Sequence, residues 1–266
     1  MHNKSNCHEN VWILSGTADG PIIADKLLEL KFSVFVSVVS YRGSKAYTFN
    51  ENLYIKIGRL NNVTEIQNFI KKNDIKHVID ATHPFATEIS KNLIAACVQL
   101  DKPVLRFERS LKDINSHVNS TFQIIDDFKD IRGCEIKGKN LLLAIGSRSI
   151  DKVAGYYKTL GANLFARIIA TPKSVLEGFS SCIENSNIAI LNPTKLNTCR
   201  LEYYLCHYWN IDYIICRESG GYPQRLWEEI SYSSKIKLFL LKRPKVRNKL
   251  IFSSYDDLIK NINLNT

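Results

Sequence analysis

The stretch Val78-Ile79-Asp80-Ala81-Thr82-His83-Pro84-Phe85-Ala86 decides the fold. Small and apolar residues carry a strand out of the core, polar groups able to do chemistry follow at its carboxyl end, and Pro84 opens a helix. Proline suits a first helical position because its φ is already fixed and its missing N–H would have found no partner there. Open α/β sheets hold ligands at such strand ends. His83, between the Thr82 hydroxyl and the incoming helix, is therefore expected to touch a cofactor or a substrate. The plainer reading of Thr82 and His83 is that they cap the helix.

Outward from this strand, the chain alternates. Val11–Leu14 is a short apolar run that ends in Ser15-Gly16-Thr17-Ala18-Asp19-Gly20, a buried strand followed by a tight turn. Ile23, Leu27 and Leu30 give Pro21–Leu30 a helical spacing. Strands follow at Phe32–Val39 and Leu53–Ile57, a helix at Val63–Ile70, the strand His77–Ala81, a helix from Pro84 to about Leu100, and a strand at Lys102–Phe107. Leu111–Thr121 is polar and irregular, and the domain switch is placed there. The alternation then resumes, with strands at Asn140–Ile145, Asn163–Ile169, Ile188–Leu191, Tyr213–Cys216 and Ile236–Leu241. The expectation is α/β: two Rossmann-like domains, 1–112 and 113–266, each a parallel sheet flanked by helices, with an active-site cleft between them.

Bulk properties narrow the function classes. A chain of 266 residues has room for two cores, and its 45% hydrophobic and 23% charged residues exclude a disordered or fibrous protein. No apolar run is long enough for a membrane span, and Met1–Asn10 is too polar for a signal peptide, so a cytoplasmic location is expected. Seven cysteines (Cys7, Cys97, Cys134, Cys182, Cys199, Cys206 and Cys216) show no paired or zinc-type spacing, which points to reduced thiols and no metal site. The net charge of +10 suits a nucleic acid, an anionic cofactor or a polycarboxylate. The basic residues are spread, with only a modest cluster at Lys242–Arg247, and lack the stripe of a nucleic-acid binder.

The remaining strand ends carry candidate binding groups. Gly16, Thr17 and Asp19 lie in the first turn, where backbone N–H groups and a helix N-terminus favour phosphate. The full glycine-rich dinucleotide pattern is absent, since Leu14 stands where its first glycine belongs. The second strand ends in Ser40-Tyr41-Arg42-Gly43-Ser44-Lys45 without a carboxylate. Ser40 and Arg42 there favour the 2′-phosphate of NADPH over NADH, against an ordinary solvated loop as the plain alternative. Gly58 and Arg59 follow the third strand, as a cofactor contact or as a turn glycine and a surface arginine. Arg106-Phe107-Glu108-Arg109 either binds carboxylates or satisfies itself as an Arg–Glu pair. In the second half, Ser147-Arg148 after Gly146, Arg167 with Thr171, and Arg217 with Ser219-Gly220-Gly221 combine backbone donors, hydroxyls and arginines suited to anionic oxygens.

Taken in order, these residues resemble the precorrin-6A reductase family of cobalamin biosynthesis, including its cobalt-precorrin-6A branch. The likeness is carried by Asp80-Ala81-Thr82-His83-Pro84-Phe85-Ala86 with Ile89-Ser90 and by Arg106-Phe107-Glu108-Arg109. Gly16-Thr17 with Asp19, Gly58-Arg59-Leu60, Gly146-Ser147-Arg148, Glu218-Ser219-Gly220-Gly221 and Arg243-Pro244 support it. It departs from the family at Ser15, Asp19, Asn192-Pro193-Thr194-Lys195 and Arg217.

The resemblance implies a two-domain enzyme that uses a reduced nicotinamide to saturate one double bond of a ring-contracted tetrapyrrole bearing acetate and propionate arms, with no metal of its own. Carried onto this sequence, it puts NADPH (NADH as the alternative) on Gly16, Thr17, Asp19, Ser40, Arg42, Gly58, Arg59, Thr82, Pro84 and Phe85. His83 would orient the nicotinamide or donate the proton. The tetrapyrrole would lie on Arg109, Ser147, Arg148, Arg167, Arg217, Ser219, Gly220 and Gly221. The rival readings are a short-chain-type or nucleotide-sugar reductase and a non-enzymatic dinucleotide sensor. The first requires a tyrosine with a lysine four residues on, which neither Tyr54 nor Tyr157 has; Tyr41 and Lys45 have that spacing but follow the second strand, in the segment assigned to the cofactor. No recognition-helix or stacking-strand pattern supports the second as a nucleic-acid module.

Overall fold

The computed structural model describes residues 9–111, 121–192, 200–245, 248 and 250–263. Most of the polar N-terminal stretch with Cys7, residues 112–120 of the expected domain switch, 193–195, Cys199, and 246–247 of the basic cluster lie outside the described residues.

The chain divides into two compact units, Met1–Ser110 with Pro244–Thr266, and Leu111–Arg243. In the first unit the order is β1 (Asn10–Ser15), α1 (Asp19–Glu29), β2 (Ser33–Val38), α2 (Tyr41–Ser44), β3 (Leu53–Ile57), α3 (Val63–Lys72), β4 (Ile75–Ala81), α4 (Thr87–Gln99) and β5 (Val104–Phe107). The second unit runs β6 (Phe122–Ile125), α5 (Gly133–Ile136), β7 (Asn140–Ala144), α6 (Ser147–Thr159), β8 (Asn163–Ile168), α7 (Pro172–Phe179), β9 (Ile188–Ile190), α8 (Arg200–Tyr208), β10 (Tyr213–Arg217), α9 (Tyr222–Ser234) and β11 (Lys237–Leu241). The chain then adds β12 (Leu250–Phe252) and α10 (Tyr255–Asn263) to the first unit. Both sheets are six-stranded and parallel throughout, ordered β12-β5-β4-β1-β2-β3 and β6-β11-β10-β7-β8-β9. Two Rossmann-like sheets flanked by helices are thus present, as the alternating pattern predicts.

Burial on both faces explains the continuous apolar runs of the central strands. In β1, Val11 and Ile13 pack with Ile23 and Leu27 of α1 and Leu258 of α10, while Trp12 and Leu14 pack with Ile66 and Ile70 of α3 and Leu93 of α4. In β7, Leu141 and Leu143 face Ile150 and Val153 of α6, and Leu142 faces Leu226 and Trp227 of α9. Each such side chain contributes about 1.5–3 kcal/mol on burial. Cys97, Cys206 and Cys216 are buried thiols within these cores.

Two expectations are corrected. The C-terminal segment does not belong with the second domain: Pro244–Thr266 returns to the first unit, where β12 pairs with β5 and Asn248 Nδ2 donates to the Val104 carbonyl at 3.0 Å. β12 is a three-residue edge strand with no buried side chain, so it shows no inward-facing position in the sequence. The boundary falls after Ser110 rather than after residue 112. The second correction concerns Pro84, which does not start a helix. Pro84 and Phe85 occupy a turn closed by the Ala86 N–H on the His83 carbonyl (2.8 Å), and α4 begins at Thr87. The His83 side chain takes the Phe85 N–H, at 3.2 Å, and so holds this turn ahead of the helix. Among the described residues no helix is long and apolar enough to cross a membrane.

Candidate active site

In the first sheet β1 and β4 are neighbours at the point where the order reverses: β1 leads through α1 to β2 on one side, and α3 brings the chain back to β4 on the other. Ligands of open α/β sheets bind outside the strand carboxyl ends at such a switch. Ser15 and Ala81 are in register, so the turns after β1 and β4 lie side by side. The Gly16 N–H donates to the Ala81 carbonyl at 3.2 Å. A Cβ on Gly16 would lie 3.1 Å from the His83 backbone nitrogen and 3.2 Å from Thr82 Cα, so close backbone approach is why glycine stands there. The Thr17 hydroxyl donates to Asp19 Oδ2 at 2.8 Å, and Asp19, in the first turn of α1, is buried.

Beneath the Thr82–Phe85 turn lies a buried charge network. Arg106, fully buried on β5, meets Asp80 Oδ1 of β4 through Nη1 at 2.7 Å and Glu108 Oε1 through Nε at 3.1 Å. The same Nη1 donates to the Thr82 hydroxyl at 2.9 Å and lies 3.4 Å from the Ser90 hydroxyl. Thr82 donates its own hydroxyl to Asp80 Oδ1 at 2.7 Å and its N–H to the same oxygen at 3.0 Å. Arg106 and Glu108 do pair with each other, and the network extends to Asp80, Thr82 and Ser90, while Arg106 Nη2 and Asp80 Oδ2 are buried without a hydrogen-bond partner among the described residues. The network fixes the backbone on which His83 is mounted. His83 Nδ1 accepts from Phe85 N–H, so the neutral ring carries its proton on Nε2. His83 is half-buried and Pro84 is buried.

The other first-unit candidates lie along the same carboxyl edge. Ser40 follows β2, and its hydroxyl accepts the Gly43 N–H at 3.2 Å, capping the short helix α2. Arg42 is exposed on that helix, and Lys45 sits 5.1 Å from the centre of the Tyr41 ring. Gly58 and exposed Arg59 follow β3; the Gly58 N–H donates to the Val38 carbonyl at 2.9 Å, and a Cβ at Gly58 would meet nothing within 4 Å. Arg109, expected beside the substrate arginines of the second half, belongs to the first unit and donates through Nε to Asp19 Oδ1 at 3.0 Å.

In the second sheet β7 and β10 occupy the equivalent switch. Gly146 ends β7 at φ +80°, a left-handed conformation, and a Cβ there would lie 3.1 Å from Arg217 Nη1. Arg217, at the end of β10, donates through Nη2 to the Ser149 hydroxyl at 2.8 Å. Burial pushes the Arg217 pKa down, and the neighbouring positive charge of exposed Arg148 pushes it the same way. Ser219 and Gly221 are buried after β10; Gly221 N–H lies 3.4 Å from the Ser219 hydroxyl, and Gly220 N–H donates to Gln224 Oε1 at 2.7 Å. Gly146 and Gly221 stand at the N-termini of α6 and α9, neither of which has a side-chain cap. The Ser147 hydroxyl donates to Glu177 Oε2 at 2.6 Å. Arg167, ending β8, is paired with Glu202 at 3.2 Å; burial lowers its pKa and Glu202 opposes that shift.

The structure thus gathers Gly16, Thr17, Asp19, Thr82 and His83 at one switch and Ser147, Arg148, Arg217 and Ser219–Gly221 at the other. It leaves Arg109 with the first group and Arg167 with its own acid. Sequence reading missed Tyr255, Ser149 and Glu177. It quoted Asp80 without a role, although an acid inside an apolar central strand is itself a signal of a buried partner. Among the described residues no group of three or more His, Cys, Asp or Glu side chains is placed to hold a metal.

Comparison with known proteins matches this architecture over nearly its whole length. The chain is 29% identical over 259 residues to cobalt-precorrin-6A reductase of Methanocaldococcus jannaschii, covering 95% of this chain and 98% of that protein. It is 26% identical over 239 residues to the cobalt-precorrin-6A reductase of a Synechocystis species, covering 88% of each. The solved structure of CobK precorrin-6A reductase superposes with a TM-score of 0.74 over 96% of each chain at 19% identity, which shows a shared fold. The family model described as precorrin-6x reductase CbiJ/CobK matches residues 10–263, and this chain belongs to that oxidoreductase family.

Proposed function

We propose that this chain reduces one carbon–carbon double bond of precorrin-6A, in the cobalt-bearing form for which its near full-length relatives are named, with NADPH as donor. The observation that carries the reading is the contact of the Gly16 turn with the Thr82–His83 turn at the sheet's switch point. It fits a dinucleotide: a side chain at residue 16 would crowd the backbone of residues 82 and 83, and with glycine there the turn meets a diphosphate through backbone donors. Ser40 and Arg42, after β2 and with no carboxylate beside them in sequence, suit a 2′-phosphate. Gly58 and Arg59 continue that edge.

When bound, the reduced nicotinamide supplies the hydride to one carbon of the double bond, and the neighbouring carbon takes a proton. His83 orients the reacting face by offering Nε2–H as a donor, while Pro84 and Phe85 shape the wall of the turn. Thr82 acts through its backbone, because its hydroxyl is committed to Asp80 and Arg106. In the second unit Arg148 and Arg217, with Ser219, Gly220 and Gly221, hold the carboxylate arms of the macrocycle, and Ser147 and Arg167 support that edge through Glu177 and Glu202. Orientation of donor and acceptor, with exclusion of water, is the main source of rate.

The test is nicotinamide oxidation by the purified protein, followed by absorbance, with cobalt-bearing and metal-free precorrin-6A in parallel and with NADPH and NADH. Turnover of neither macrocycle overturns the proposal. Equal use of NADH removes the role given to Ser40 and Arg42.

A further inference from the structure

The C-terminal helix reaches the first turn of the sheet, 236 residues away in sequence. The Tyr255 hydroxyl donates to Asp19 Oδ1 at 2.7 Å, and Arg109 Nε donates to the same oxygen at 3.0 Å. Thr17 holds the other oxygen at 2.8 Å, and its hydroxyl lies 3.3 Å from the Ala81 carbonyl at the end of β4. Three separate pieces of chain thus converge on one buried carboxylate: the turn after β1, the segment after β5, and the start of α10. The Tyr255 ring is fixed independently of this bond, stacked on Phe107 with centroids 4.6 Å apart and planes 11° from parallel.

We infer that Asp19, Arg109 and Tyr255 form a positioning clamp that presets the Gly16–Thr17 turn for the dinucleotide diphosphate, and that Tyr255 makes the C-terminal segment part of the donor site. The inference rests on the reading of that turn as the NADPH site. An acid in the first turn of α1 gains from the helix N-terminus but opposes an incoming phosphate. Two donors on Oδ1, one of them cationic, offset that opposition. They also fix the side chain to which Thr17 is tied, so the turn need not be ordered when the ligand arrives. Removing the Tyr255 hydroxyl strengthens the carboxylate's field and loosens the turn, and both changes weaken phosphate binding. Arg109 therefore acts through Asp19 rather than on the substrate.

The variant that tests this is Tyr255→Phe, which deletes one oxygen and keeps the ring on Phe107. NADPH affinity is measured by fluorescence titration of the protein without macrocycle, alongside steady-state kinetics and a thermal melt. The expected result is NADPH binding weakened roughly three- to tenfold, as for loss of one charge-assisted bond that acts at second hand, with kcat at saturating NADPH and KM for the macrocycle unchanged. Arg109→Gln is expected to weaken NADPH binding further, and Arg109→Lys, which keeps a cationic donor, to recover part of it. Unchanged affinity in Tyr255→Phe overturns the inference while leaving the NADPH site standing. A joint fall of kcat, affinity and melting temperature overturns it too, since that is general unfolding. Wild-type protein that binds no NADPH in the same titration removes the underlying reading instead.

Discussion

The two sheets are built on one plan and loaded in opposite ways. Read from its far edge, the second runs β9-β8-β7-β10-β11-β6, matching β3-β2-β1-β4-β5-β12 of the first position by position. The sixth strand comes from opposite directions: β12 reaches the first sheet from the chain's end, and β6 enters the second before any of its other strands. At the first switch each cation is paired with acids of the protein itself, Arg106 with Asp80 and Glu108, and Arg109 with Asp19. At the second, Arg217 is bonded to the neutral Ser149 hydroxyl and repelled by Arg148. Identical topology fixes where ligands are met, and the side chains decide which. On the proposed function, the first switch meets a phosphate through backbone donors and the second meets carboxylates through its arginines.

The largest effect expected from breaking this difference is in stability. Arg106→Met leaves Asp80 without its cation in a buried site, so the chain should lose about 3–5 kcal/mol, read as a shift in the urea midpoint at unchanged slope. Replacing Arg106 together with Asp80 and Glu108 by apolar residues of similar size should recover most of that loss, because the cost lies in the orphaned Asp80. If Arg106→Met alone is neutral, the first switch is not held by charge compensation.

Next come paired effects on binding. Arg217→Ala should raise KM for the macrocycle roughly ten- to a hundredfold, the value of a charge-assisted bond to a carboxylate, and leave NADPH affinity unchanged. Arg42→Ala should do the reverse, weakening NADPH about tenfold while leaving NADH and macrocycle untouched. Crossed effects, with Arg217 altering NADPH affinity or Arg42 altering macrocycle KM, would collapse the division of labour between the two switches.

Much of this was legible because central parallel strands announce themselves. Val11–Leu14 and Leu141–Leu143 are buried on both faces and read as unbroken apolar runs, Val78-Ile79 keeps a shorter one within β4, and the groups after them fall at strand ends by necessity. The edge strands β12 and β6 gave no such signal: β12 has three residues and none of them is buried, and β6 buries only Ile125. Partners distant in sequence were equally silent. Nothing local to Tyr255 marks it as a ligand of Asp19, and nothing local to Arg109 distinguishes a grip on a substrate acid from a grip on one of the protein's own. The turn at His83–Ala86 was misread for the opposite reason: Pro84 is a valid local helix start, overridden by the His83 side chain taking the Phe85 N–H.

The smallest expected effect is read at alkaline pH. Burial pushes the Tyr47 hydroxyl up to about 12, and burial, with the bond to Asp19, does the same for Tyr255. Both exceed the ordinary value of 10.0, so the folded form binds protons that the unfolded chain has released. Their contribution to stability is complete below pH 10 and is lost as the pH rises towards 12. The thiols of Cys97 and Cys206, also pushed up to about 12 by burial, add to the same alkaline loss. A difference measurement isolates the tyrosine at the clamp. The stability of Tyr255→Phe relative to wild type should rise between pH 10 and 12, because only the wild type pays to keep that phenol protonated. Its NADPH affinity should stay below that of wild type at neutral pH, where the phenol still donates to Asp19. A stability difference flat across that range would mean that Tyr255 ionises as freely in the folded chain as in the unfolded one, and the bond to Asp19 would lose its weight.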